Sequence, residues 1–166
     1  MNRRNFLYGS AAALAALGGT ATLLGMGSSN QALAETFEVT KTEAEWRALL
    51  DDKQFAVLRQ EDTEYPGSSP LLHEKRKGTF SCAGCDLPLY SSETKFESGT
   101  GWPSFWDALP DAVGLKVDDT LFMTHTEVHC RRCGGHLGHV FDDGPPPTGK
   151  RHCINGVALK FKPATA

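Results

Sequence analysis

Apolar residues recur at helical spacing between residues 43 and 51. The positions that share this spacing are Trp46, Leu49 and Leu50. Thr42 and Glu45 form a capping box, in which each side chain satisfies a free backbone N–H at the start of a helix. The pattern predicts a short helix over 43–51 and a second short helix over 53–60.

Beyond residue 78 the chain changes to short segments of strand composition. These segments are Gly78–Cys82, Leu87–Tyr90, Leu121–Val128 and Cys153–Phe161. A turn rich in Pro and Gly, over 142–149, precedes the last of them. Short strands separated by turn residues are typical of antiparallel sheets. We therefore predict a mainly β fold, mostly antiparallel, with short helices at its N-terminal end.

The first 34 residues have the pattern of an export signal. Arg3 and Arg4 precede a run without charge, Ala11–Met26, and an Ala-Leu-Ala cleavage site covers 32–34. We interpret 1–34 as a twin-arginine signal peptide, so the protein is expected in the periplasm or another extracytoplasmic space. Retention as a membrane anchor is the alternative. The cleavage site favours removal, after which no stable membrane insertion is expected.

The remainder, 35–166, is 132 residues long and forms one predicted domain with room for a modest core. The full chain has a net charge of −3, and since two arginines are the only charged residues of the first 34, the remainder carries −5. An acidic surface argues against a nucleic-acid partner.

Four of the five cysteines form two C-x-x-C knuckles, separated by 44 residues. The knuckles are Cys82–Cys85 and Cys130–Cys133, both set among turn-forming glycines. Two matched knuckles predict one tetrahedral zinc site, structural because four thiolates leave no open position. Two disulfides or a thioredoxin-like redox pair are the alternatives. Five cysteines cannot all pair within one chain, although an exported protein meets an oxidising compartment.

Cys153 is the cysteine that the metal does not need. It lies at the start of a predicted strand, where Arg151, Cys153 and Asn155 share one face and His152 and Ile154 the other. The nearby guanidinium is expected to favour the thiolate, and Asn155 can donate to a developing negative oxygen. The alternative is a buried thiol that acts as a small apolar residue.

Two histidines follow the second knuckle in a Gly-rich segment. His136 and His139 can be metal ligands, structural hydrogen-bonding groups or proton donors. Four cysteines already fill the metal site, which makes the ligand role the weakest. Proton transfer near neutral pH and a structural role remain equally open.

The segment 98–106 sets aromatic residues among glycines and a proline. Trp102 and Phe105 either pack as a corner of the core or form a platform for an apolar or sulfur-bearing ligand. We interpret both as candidate substrate-binding residues.

Taken together, these motifs resemble those of B-type methionine sulfoxide reductases, the peptide-methionine (R)-S-oxide reductases. The resemblance runs from about residue 39 to 162, in the family's order. The motifs that carry it are Cys82-x-x-Cys85, Ser98-Gly-Thr-Gly-Trp-Pro-Ser-Phe105, Cys130-x-x-Cys133, His136-Leu-Gly-His-Val-Phe141 and Arg151-His-Cys-Ile-Asn155. It implies two antiparallel β-sheets and a zinc ion away from the active site.

The resemblance also implies roles for the site residues. Cys153 would attack the sulfoxide sulfur while an acid protonates the oxygen, which leaves methionine and a Cys153 sulfenic acid. His139 would be the proton donor, with His136 as its neighbour, and Trp102 would contact the substrate methyl group. The residues that would order and polarise the pocket are Asp143, Arg151 and Asn155. The substrate would be oxidised methionine, free or in proteins.

Three positions depart from the family pattern. Many relatives have a resolving cysteine where this chain has Thr100, so we predict that an external thiol, such as a thioredoxin-like protein, reduces the Cys153 sulfenic acid. His152 replaces a usual aromatic residue, and His125 replaces a frequent arginine. A zinc-ribbon module that binds a protein partner without catalysis is the competing hypothesis. The fifth cysteine, the histidine pair and the lack of a basic patch favour the enzyme.

Overall fold

The structure is a computed structural model that describes residues 36–118 and 125–165. The predicted signal peptide, 1–34, and residues 121–124 of one predicted strand lie outside the described residues. Within the described ranges, no helix is long and apolar enough to cross a membrane.

Two short helices begin the described part of the chain, as predicted. Helix α1 covers Glu43–Leu49 and helix α2 covers Asp52–Gln60. The predicted capping box at Thr42 is present, and Asp51 forms a second one at the start of α2. Because a capping box satisfies free N–H groups at the helix end, it fixes where each helix begins.

The remaining regular structure is β. The described strands are β1 (Gly78–Cys82), β2 (Pro88–Ser91), β3 (Lys95–Phe96), β4 (Ser104–Phe105), β5 (Val113–Asp118), β6 (His125–Cys130), β7 (His136–Phe141), β8 (Arg151–Ile154) and β9 (Leu159–Pro163). They form a three-stranded sheet, β2-β1-β9, and a six-stranded sheet, β3-β4-β8-β7-β6-β5. All the pairings are antiparallel, which confirms the predicted fold class of two antiparallel sheets with short helices.

Aromatic rings fill the space between the two sheets. Phe80 of β1 lies 5.0 Å from Phe105 of β4, centroid to centroid, and Tyr90 of β2 stacks on Phe105 at 4.3 Å. Phe161 of β9 extends the cluster by contacting Phe80 at 4.9 Å. Because buried aromatic rings contribute large apolar areas, this cluster holds the sheets together.

The single strand predicted over Cys153–Phe161 is two strands in different sheets. Strand β8 ends at Ile154, a 3-10 helix covers Gly156–Ala158, and the chain then enters the other sheet as β9. The carboxylate of Glu64 accepts hydrogen bonds from the backbone N–H groups of Gly156 and Val157 at this turn. The turn-forming pair Asn155-Gly156 lies at the break, but the prediction followed the apolar residues that continue on both sides of it.

The helices cover the cysteine cluster. The Trp46 ring of α1 lies against Gly84 in the first knuckle, and Leu58 of α2 lies against Gly135 beside the second. Arg59 donates a hydrogen bond to the carbonyl oxygen of Cys133 at 2.9 Å. The N-terminal helices therefore pack on the segments that carry the metal ligands.

Candidate active site and metal centre

Four cysteine sulfurs meet at one point of the structure. The Sγ atoms of Cys82 and Cys133 are 3.7 Å apart, those of Cys85 and Cys130 are 3.5 Å apart, and all four lie within 4.8 Å of one another. Sulfurs about 2.3 Å from one central ion lie about 3.8 Å from each other, so the cluster fits a tetrahedral zinc ion. A disulfide would need about 2.05 Å, which excludes the paired alternative in this structure.

Each knuckle closes through the same backbone turn. The N–H of Asp86 donates to the carbonyl oxygen of Cys82 at 2.9 Å, and the N–H of Gly134 donates to that of Cys130 at 2.8 Å. Gly134 has a φ of +66°, a conformation that glycine adopts without steric cost. The turns aim both sulfurs of each knuckle inward.

Cys153 occupies the middle of the six-stranded sheet. Its strand lies between β4 and β7, where Ser104 and His139 are its directly opposite residues. Opposite residues on antiparallel strands project on the same face, so Cys153 and His139 share one side of the sheet. His152 points to the other side, where its Nδ1 atom is 3.3 Å from the Tyr90 hydroxyl.

A depression of about 170 Å³ opens on the Cys153 side of the sheet. Its lining includes Thr63, Trp102, His139, Phe141, Cys153 and Asn155. The lining is mostly apolar with a few polar groups, and the volume suits one side chain rather than a large ligand. The structure thus brings together four of the residues singled out in the sequence.

The Cys153 thiol is half-buried, and this burial raises its pKa above the ordinary thiol value. The Thr100 hydroxyl, 3.8 Å from Sγ, and the Arg151 guanidinium both act to lower the pKa, but burial outweighs them. The guanidinium favours the thiolate, as expected from the sequence, but its effect on the Cys153 pKa is smaller than that of burial. Desolvation disfavours the charged form more than two polar neighbours favour it.

Arg151 is held by a paired carboxylate. Its Nε and Nη2 atoms donate to the two carboxylate oxygens of Asp143 at 2.8 and 2.9 Å, and its guanidinium lies 4.4 Å from the Phe141 ring centre. The hydrogen bonds from Arg151 hold the pKa of Asp143 below its usual range. Asp143 thus orients Arg151 and is not part of the depression's lining.

The two histidines come close through a local irregularity. Residues three apart on a regular strand face opposite sides, yet the ring centres of His136 and His139 are 5.4 Å apart. A register shift at Val128 in β6 and a φ of +151° at Gly138 between them account for this. His136 is buried, and its Nδ1 atom is 2.8 Å from Oε1 of Glu127.

The side chains of Asn155 and Trp102 both form hydrogen bonds with the backbone of one loop residue, Glu64. The Asn155 amide donates to the carbonyl oxygen of Leu137 at 3.0 Å and accepts from the N–H of Glu64 at 3.0 Å. The Trp102 indole N–H donates to the carbonyl oxygen of Glu64 at 3.0 Å. Asn155 therefore orders the chain beside Cys153, and one of its two amide N–H groups is engaged while its side chain lines the depression.

The prediction that Phe105 binds substrate is wrong. Its side chain is fully buried between Phe80 and Tyr90, on the side of the sheet opposite the depression. The paired strand β4 turns this ring into the core, so it cannot contact a ligand at Cys153. Trp102, three residues earlier, does line the depression.

Sequence reasoning missed Glu64 and Glu127. Glu64 reaches Asn155 across 91 positions, and Glu127 reaches His136 across a strand pair with a register shift. No local pattern marks either residue, because each acts through partners that only the folded sheet brings near.

Comparison with known proteins finds similarity to one family. The SelR domain matches residues 50–163. The protein named "Peptide methionine sulfoxide reductase MsrB" from Methanosarcina barkeri is 58% identical over 75% of this chain and 88% of its own length. The protein of the same name from Pseudomonas putida is 53% identical, over 76% of this chain and 96% of its own length.

"Peptide methionine sulfoxide reductase B3" from Arabidopsis thaliana is 44% identical, over 83% of this chain and 78% of its own length. Among solved structures, the Mis18 "Yippee-like" domain overlaps 55% of the chain with a TM-score of 0.43 and 18% identity, which is too slight a likeness to bear on function. The matched region includes the cysteine cluster and every residue of the depression. The chain belongs to the SelR-domain family, the MsrB family of peptide methionine sulfoxide reductases.

Proposed function

We propose that this protein reduces the R epimer of methionine sulfoxide, mainly in proteins, to methionine, with Cys153 as the nucleophile. The observation that supports it best is the position of Cys153 in the depression, directly opposite His139 and beside Trp102. Membership of the MsrB family supports the same reaction, since the relatives are named as methionine sulfoxide reductases.

In the first step, Cys153 Sγ attacks the sulfoxide sulfur and the sulfur–oxygen bond of the substrate breaks. The oxygen passes to Cys153, so the substrate sulfur is reduced by two electrons and Cys153 is oxidised to a sulfenic acid. The proton of the thiol ends on the sulfenic oxygen. His139 carries that proton, because it stands opposite Cys153 on the neighbouring strand, both residues line the depression, and imidazole exchanges protons near neutral pH.

The second step regenerates the thiol. A dithiol reductant such as a thioredoxin-like protein attacks the Cys153 sulfenic acid, water leaves, and the reductant's second thiol completes its disulfide. Thr100 supports an external reductant, because its hydroxyl is the group 3.8 Å from Sγ where many relatives have a resolving cysteine.

The remaining cysteines have a structural part in the proposal. One zinc ion, held by the four clustered thiolates, would complete its tetrahedron without a position for substrate. The zinc would stabilise the fold and take no part in the oxygen transfer. The twin-arginine pattern of the first residues supports export, which would place the reaction outside the cytoplasm.

The deciding experiment measures thiol-dependent reduction of the R and S epimers of a methionine sulfoxide peptide. Turnover of the R epimer is expected, and Cys153→Ser should abolish it while zinc content and thermal midpoint stay unchanged. Absence of activity toward both epimers, with zinc bound, would favour the zinc-ribbon binding module instead. Loss of zinc in Cys153→Ser would mean that the thiols are assigned wrongly.

A further inference from the structure

A buried carboxylate lies behind the two histidines of the site. Glu127 is only 8% exposed and stands in β6 directly opposite His139 of β7, which in turn stands opposite Cys153 of β8. The three residues form one row across adjacent strands and share a face of the sheet. A carboxylate that loses most of its hydration needs a charged or hydrogen-bonding partner.

The partner of Glu127 is His136. Oε1 of Glu127 lies 2.8 Å from Nδ1 of His136, and this hydrogen bond is the largest influence that holds the pKa of Glu127 below its usual range. An ionised carboxylate only accepts hydrogen bonds, so Nδ1 must carry a proton. When the imidazole is neutral, its Nε2 atom is then the one with the lone pair.

His136 Nε2 is positioned to use that lone pair. The ring is only 3% exposed, and Nε2 has no hydrogen-bond partner among the residues that the structure describes. Buried polar atoms nearly always have a partner, which points to a water molecule or a ligand atom at this position. The ring centres of His136 and His139 are 5.4 Å apart, so the two imidazoles are neighbours.

We propose that Glu127 is a positioning residue for the reaction, because it fixes the Nδ1–H tautomer of His136 and keeps His136 Nε2 as the proton acceptor beside His139. The proposal rests on the proposed function. In the oxygen transfer, His139 passes the thiol proton to His136 Nε2 and takes it back for delivery to the oxygen. The proton only changes place, so the site gains no net charge. Glu127 stabilises the His136 imidazolium while His136 holds the proton.

Lys116 offers a matched control on the opposite side of the same carboxylate. Its Nζ atom is 3.9 Å from Oε2 of Glu127, and its side chain is 61% exposed. Because the Lys116 ammonium is largely exposed and 3.9 Å away, it contributes little, and Lys116→Gln should change kcat less than twofold. Glu127→Gln keeps the shape of the side chain but can present an amide N–H to Nδ1, which reverses the tautomer of His136.

The test combines kinetics on the R epimer with a tautomer measurement on the zinc-bound protein. Glu127→Gln is expected to lower kcat at least tenfold with KM within twofold, and Glu127→Asp to recover part of the loss. In a His136→Asn background, Glu127→Gln should have no further effect, because the two residues act as one unit. Nitrogen-15 NMR should show a protonated His136 Nδ1 in the wild type and its loss in Glu127→Gln.

Two results would overturn the proposal. One is an equal loss of kcat from Glu127→Gln in the wild-type and His136→Asn backgrounds, which would give Glu127 a structural role only. The other is an unprotonated Nδ1 in the wild type, a result that needs no variant to fold. If the wild type reduces neither epimer, the proposed function fails, while the tautomer measurement still decides the Glu127–His136 pairing.

Discussion

At the scale of single residues, burial and two polar neighbours have opposite effects on the pKa of Cys153. Burial raises its pKa, and Thr100 and Arg151 only partly oppose the rise. A raised pKa favours the protonated thiol in the free protein, and a thiol is oxidised less readily than a thiolate. In the proposed reaction, a nearby base takes up the proton when the sulfoxide arrives.

Alkylation of Cys153 should follow this raised pKa. The rate with iodoacetamide is expected to rise about tenfold per pH unit between pH 7 and 9, because the thiolate fraction grows tenfold per unit below the pKa. Thr100→Val should slow alkylation throughout this range, since it removes a hydrogen bond that favours the thiolate. Mass spectrometry of the labelled protein measures the rate, and Cys153→Ser gives the background. A plateau below pH 8 would contradict the assignment.

The sequence predicted the residue types of the site better than their contacts. Cys153, Trp102 and His139 could be predicted because their motifs are local and unusual. The prediction that Phe105 binds substrate is wrong, because the residues around it in the sequence are the same whether its strand turns the ring outward or into the core. Glu64 could not be predicted at all, since its bond to Asn155 exists only after distant segments meet.

At the scale of elements, Gly138 decides the shape of β7. Its φ is +151°, and a Cβ atom there would overlap the carbonyl oxygen of Cys153 on the neighbouring strand. Gly138 thus lets β7 and β8 approach closely. It also lets the rings of His136 and His139 reach the same side of the sheet.

Gly138→Ala is therefore expected to displace β8 and abolish activity. Gly149→Ala is the matched control, because Gly149 also has a positive φ, +71°, but a Cβ there meets nothing within 4 Å. The control should cost about 1 kcal/mol of unfolding free energy from backbone strain alone, with activity kept. Urea unfolding measures the stability of each variant, and turnover of the R epimer measures its activity. Equal losses of activity and stability in the two variants would show that the close approach of β7 and β8 at Gly138 matters for neither.

Element boundaries were predicted well where a side chain fixes them. The capping box at Thr42 sets the start of α1 at Glu43, as its sequence indicated. The break between β8 and β9 has a local signal in the turn-forming pair Asn155-Gly156, and the Glu64 carboxylate holds this turn by binding the N–H groups of Gly156 and Val157. The single predicted strand is wrong because it gives the apolar residues on both sides more weight than this pair.

At the scale of the whole molecule, the cysteine cluster connects the two sheets. Cys82 ends β1 in the three-stranded sheet and Cys130 ends β6 in the six-stranded sheet. The two helices pack on the same cluster through Trp46 and Leu58. A metal ion held there would cross-link both sheets under the helices, in addition to the aromatic core between them.

Removal of the metal should unfold the protein or lower its thermal midpoint by more than about 10 °C. The free energy of structural zinc binding, about 10–16 kcal/mol in small metal domains, is as large as the stability of a typical domain. Calorimetry with and without a chelator measures the midpoint. The accessible thiols should rise from one to five, and Cys153→Ser should show none before chelation. An unchanged midpoint after verified metal loss would contradict a structural zinc ion.

The hydroxyl of Thr100, 3.8 Å from Cys153 Sγ, has a consequence for how long the protein survives. Under the proposed chemistry, the oxidised cysteine waits for a thiol from outside, and the abundance of that thiol sets the waiting time. A sulfenic acid that waits can be oxidised to a sulfinic acid, which ordinary thiols do not reverse. A protein that repairs oxidative damage would then be inactivated by the same damage fastest where reductant is scarce.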